Sequence, residues 1–122
     1  MRIFKTKVFA RDSINAGITD TELVNAAAEV DRGEYEADLG GGVFKKRLAR
    51  SGGGKSGGYR VILFFRKDER LFFGRIFAKS NLEDIEDDEL KWFKGVSREY
   101  LEYTDDQLNA RIKEGWIKEI VP

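Results

Sequence analysis

A chain of 122 residues has room for one domain and one modest core, and 41% apolar against 36% charged residues places it among well-solvated globular proteins. It contains no cysteine and no histidine, which excludes disulfides, thiolate metal sites, most zinc sites and every triad built on imidazole. The formal charge is zero but unevenly spread: residues 1–79 carry sixteen basic and ten acidic side chains, residues 80–122 six and twelve. A neutral total thus hides a basic half suited to a polyanion such as RNA.

No apolar run approaches the roughly 18 residues of a spanning helix, and MRIFKTKVFARD lacks the apolar core of a signal peptide. A cytoplasmic protein with no membrane partner is expected. Arg2 to Ala10 alternates well enough for a strand, with Ile3, Lys5, Lys7 and Phe9 on one side, and Arg11 to Gly17 reads as a connection. Thr19 and Glu22 form a capping box, predicting a helix that buries Leu23, Ala27 and Val30 and stops at Gly33. Glu34 to Gly42 reads as a connector ending in three glycines.

Val43 to Ala49 is the next strand, with Val43, Lys45 and Arg47 on one side and Phe44, Lys46 and Leu48 on the other. After a loop from Arg50 to Gly58, Tyr59–Arg66 and Leu71–Phe77 form a hairpin apolar on both faces, which belongs at a sheet centre. Ser80 and Glu83 repeat the capping pattern, and a helix from Asp88 is expected to bury Leu90, Phe93, Ser97, Tyr100 and Leu101. Thr104 and Gln107 open a short helix ending near Gly115, and WIKEIVP suits an edge strand. The expectation is a single α+β domain over residues 1–122, in the order β-α-β-β-β-α with a possible C-terminal edge strand.

Three stretches invite a chemical reading. Residues 49–56, ARSGGGKS, fit a relaxed phosphate-binding loop, but such a loop leads into a helix, whereas here two more glycines and a strand follow. A glycine loop presenting Lys55 to a phosphate backbone fits better than a nucleotide hydrolase. The acidic run Glu83–Glu89 lacks the spacing of a calcium loop and suits a helix N-terminus, so no metal or other cofactor is expected. The basic cluster is the strongest signal: between Val43 and Lys79 there are eleven Lys or Arg and two acids. Lys45 and Arg47 share a strand face, and Arg60 and Lys79 end neighbouring strands, so an RNA-binding surface outweighs a merely solvated face.

The chain resembles the RelE-like toxins of bacterial toxin–antitoxin pairs, in particular their HigB-type branch. The resemblance covers nearly the whole sequence and is most specific in LGGGVFKKRLAR, GGGKSGGYR and FAKSNLEDIEDDEL. It implies a mostly antiparallel, twisted sheet with helices packed against it, and a toxin that blocks translation by cutting mRNA on the ribosome. A cognate antitoxin, often a helix-turn-helix protein in this branch, would neutralise it. The family's basic positions correspond to Lys45, Arg47, Arg60 and Lys79, and Lys55 lies in the branch's Gly-Lys-Ser-Gly-Gly loop. Lys46, Arg50, Ser56 and Tyr59 are expected to contact the RNA around them. Many relatives carry an Arg and then a catalytic Tyr after the last sheet strand; here Lys79 stands with neither, leaving Tyr59, Tyr100 and Tyr103 as candidates.

The chemistry such an enzyme needs is a base for the ribose 2′-OH, cations for the pentavalent phosphate and an acid for the leaving 5′-oxygen. Crowded lysines can fill the proton-transfer roles, which points to Lys45 or Lys55, and Arg47 and Arg60 suit phosphate stabilisation. Two other readings remain open at this point: a non-catalytic RNA- or DNA-binding module, and a gyrase-poisoning toxin of the ParE type on the same fold.

Overall fold

Thr6 decides where the first strand ends. A computed structural model describes residues 1–48, 58–78 and 86–121, and in it strand β1 (Arg2–Thr6) passes directly into helix α1 (Lys7–Ala16). The Thr6 hydroxyl accepts the Phe9 backbone N–H at 3.1 Å, and Gly17 closes the helix in the left-handed conformation. This corrects the longer strand to Ala10 and the connection after it. The alternation through Lys7, Val8 and Phe9 is coincidental, because Phe9, Ala10 and Ser13 bury one helical stripe.

Helix α2 (Asp20–Asp31) starts at the expected capping box, with Thr19 and Glu22 bonding reciprocally, and buries Leu23, Ala26, Ala27 and Val30. The connector after it holds a strand of its own, β2 (Ala37–Gly40), a second correction. It pairs with β3 (Val43–Leu48), which pairs with β4 (Tyr59–Arg66), and that with β5 (Arg70–Ala78). Helices α3 (Asp87–Leu101) and α4 (Asp105–Glu114) follow, and β6 (Ile117–Ile120) is the expected edge strand. Asp87, Asp88 and Glu89 occupy the first turn of α3, where the helix dipole favours them. The Ser80–Glu83 pattern lies outside the described residues.

The sheet order is β2-β3-β4-β5-β1-β6, antiparallel throughout except that β1 runs parallel to β5. The apolar hairpin sits at the centre, as its two-sided hydrophobicity requires. On one face, α1 and α2 cover Phe44, Leu48, Val61, Leu63, Leu71 and Phe73. On the other, α3 and α4 bring Phe93, Leu101 and Leu108 against Phe4, Val43, Ile62, Phe64 and Phe72. Helix α3 buries Phe93, Ser97 and Leu101 and leaves Leu90 and Tyr100 partly buried.

Candidate functional site

On the α3 face the register places Lys45 opposite Ile62 and Arg47 opposite Arg60, while Phe77 and Arg75 continue the same two rows on β5. Strand alternation and this register put Lys45 and Arg47 on one surface and bring Arg60 onto it as well. They converge on a residue the sequence reading did not single out. Glu36, just before β2, lies with both carboxylate oxygens 2.9 Å from Arg60 Nε. Lys45 Nζ is 3.3 Å from Oε1 and Arg47 Nε 3.9 Å from Oε2.

Glu36 is held there by its backbone, whose N–H donates to the Lys45 carbonyl at 2.8 Å. Side-chain exposure is 12% for Arg60 and 19% for Lys45 against 39% for Arg47, so the first two are fixed and the third is freer to meet a ligand. Partial burial pushes the Glu36 carboxyl upward, but hydrogen bonds from Arg60 and Lys45 and their charges outweigh it, so it titrates below its ordinary range. The donors that arginine and lysine turn toward this carboxylate are of the kind that also bind phosphate oxygens.

Other candidates lie elsewhere. Lys46 points to the opposite face, where it is buried with Nζ 3.1 Å from Glu29 on α2. Tyr59 packs, partly buried, against that same core. Tyr100 and Tyr103 stack at 5.4 Å near Phe72 and Phe64, and Tyr103 donates to Glu99 at 2.9 Å. Burial first, and then the Glu99 carboxylate, push the Tyr103 hydroxyl up to about 12, which makes it a poor proton acceptor at neutral pH. Arg50, Lys55, Ser56 and Lys79 lie outside the described residues.

A family model described as the RelE toxin of the RelE/RelB toxin–antitoxin system matches residues 1–120. The chain belongs to the RelE toxin family. No curated protein matches it significantly. RelE-family toxins generally inhibit translation and are generally endoribonucleases, and membership implies a RelB-type antitoxin partner. Among the described residues of this RelE-family chain, no helix is long and apolar enough to cross a membrane.

A second carboxylate fixes the edge of the toxin fold. Arg2 grips Glu119 through Nε at 2.8 Å and Nη2 at 3.0 Å, tying β1 to β6, and this hydrogen bonding outweighs desolvation to lower the Glu119 carboxyl. Glu36 and Glu119 both have folded values below the ordinary 4.5. Their stabilising contributions are therefore complete above pH 4.5 and disappear as pH falls through the lower folded values. The melting temperature should drop on that acid limb, and Glu119→Gln should remove part of the drop while also lowering the plateau.

Proposed function

We propose that this RelE-family toxin is an mRNA endonuclease acting on the ribosome in the cytoplasm, and that its centre is the Glu36–Lys45–Arg47–Arg60 cluster. The observation carrying this reading is a carboxylate gripped by three cations on the α3 face of the sheet. The scissile phosphate takes over Arg60 and Arg47, which never lose their charge and stabilise the pentavalent phosphorus. Glu36 then loses two of its partners and faces a new negative charge. Both changes raise its proton affinity when substrate is bound.

Glu36 accepts the 2′-OH proton, the 2′-oxygen bonds to phosphorus, and the bond to the 5′-oxygen breaks. Lys45 supplies a proton to that leaving oxygen, giving a 2′,3′-cyclic phosphate and a 5′-OH. Lys55 and Lys79, which the family resemblance brings to the same chemistry, are further candidates for phosphate contact. The ribosome's part is to hold the RNA in line, since positioning alone contributes about 7–11 kcal/mol in well-oriented reactions.

The test is to induce wild type and Glu36→Gln in bacteria and map new mRNA 5′ ends by direct kinase labelling, which requires a 5′-OH. Glutamine keeps the oxygen acceptor but cannot take the proton, so codon-phased ends should fall about 10²- to 10⁴-fold. Growth arrest by wild type without such ends, or with ends bearing a 5′-phosphate, would overturn the mechanism.

A further inference from the structure

Seven large hydrophobic residues are exposed among the described residues, and four of them, Val8, Ile14, Trp92 and Trp116, gather along one strip. The strip begins in a hollow of about 220 Å³ between the start of α1, the β5 bulge and α3, floored by Phe64, Phe93, Val96 and Tyr100. It continues through Lys7 and Val8 into a groove of about 480 Å³ that reaches Ile14. Trp92 is 60% exposed, Trp116 56% and Ile14 76%, too much contiguous apolar surface for an isolated toxin to leave wet without a use.

The rim has one sign. Lys7, Arg11, Arg75 and Lys118 border the two hollows, and among the described residues no acid lines either. Arg11 has Asp12 beside it at 3.2 Å, and Asp88 and Glu89 line the neighbouring hollow on the far side of Trp92. An apolar floor between basic walls fits an amphipathic helix whose apolar stripe is flanked by Asp and Glu. RNA fits it less well. Val8, Val96 and Ile14 are aliphatic, Lys7 already lies over the Trp116 ring at 5.6 Å, and Trp92 already meets Phe93 edge-on at 5.2 Å.

We propose that this strip is the docking surface for the antitoxin, through an acid-flanked amphipathic helix anchored at Val8, Trp92 and Trp116. The proposal rests on membership of the toxin–antitoxin family and not on the cleavage chemistry. It makes neutralisation separable from toxicity, because none of the three anchors belongs to the Glu36 cluster.

The chain has only two tryptophans, and both lie in the strip. The toxin can therefore be labelled with 5-fluorotryptophan and titrated with its purified RelB-type antitoxin. Both ¹⁹F resonances should shift on binding. Val8→Lys and Trp116→Ser should each weaken affinity about 30-fold or more, as central anchors do. Lys118→Glu, an exposed change with little folding consequence, should weaken binding and reduce its dependence on salt. In cells the Val8→Lys toxin should still arrest growth but escape rescue by the antitoxin, with an unchanged melting curve confirming its fold. Unshifted resonances, or wild-type affinity in Val8→Lys and Lys118→Glu, would overturn the assignment. So would variants that bind antitoxin normally but lose cleavage, which would make the strip an RNA surface.

Discussion

Replacing Arg60 with alanine is expected to lower mRNA cleavage about 10²- to 10³-fold, the usual cost of removing a preorganised donor from a developing anion. Arg60 sits in register between Arg47 on β3 and Phe77 on β5, at the junction of two central sheet strands. Its Nε lies against both oxygens of Glu36, so its guanidinium is aimed before any RNA arrives. Arg60→Lys should recover little, because a point charge on a flexible stem cannot reproduce the planar donor set. The fold should survive, since Lys45 and Arg47 remain to neutralise Glu36. A melting curve beside the 5′-end map separates loss of chemistry from loss of structure. An Arg60→Ala protein that cuts at the wild-type rate would remove this cluster from the active site.

Arg60 was legible in the sequence because a glycine loop delivers it to the start of an unmistakable strand. The same holds for the sheet centre, the two capping boxes at Thr19 and Thr104, and the face of α3, all written within short windows. What escaped has a common cause. Thr6 caps α1 with Phe9 at the third helical position, so no Glu or Gln marks the start, and the strand period runs on by chance. Strand β2 is four residues long and exists only through its pairing with β3. The parallel β1–β5 ladder joins Arg2 to Arg70, a relation no local pattern encodes.

Glu36 was missed for the same reason, since its partners lie up to 24 residues away and Glu-Tyr-Glu before a basic strand reads as connector. The only available hint was an acidic connector a short way ahead of three successive cations, Lys45, Lys46 and Arg47. Lys46 shows the converse. Grouped with its neighbours by charge, it is turned by strand alternation to the buried side, where it ties β3 to α2 through Glu29.

Gly42→Ala is expected to destabilise the protein by about 2–4 kcal/mol, more than a typical surface change. Gly42 has φ +80°, which an L side chain adopts at a cost of about 1–2 kcal/mol. A Cβ there would also stand 2.5 Å from Leu101 Cδ1 and 2.9 Å from the Ser97 hydroxyl, both buried under α3. Ser97 is held in place by donating to the Gly41 carbonyl at 2.9 Å, and the loop itself is held by the Gly42 carbonyl, which accepts from the Phe65 N–H at 2.9 Å. Gly33 provides the control, with φ +89° and nothing within 4 Å of its added Cβ. Gly33→Ala should therefore show the backbone cost alone, about 1–2 kcal/mol. Denaturant midpoints at constant slope measure the difference. The consequence reaches the candidate site, because this loop sets how β2 lies against β3 and so how Glu36 meets Lys45. Gly42→Ala should lose cleavage beyond what its unfolded fraction explains, whereas Gly33→Ala should not. Equal stability of the two variants would mean that α3 does not press on the loop as described.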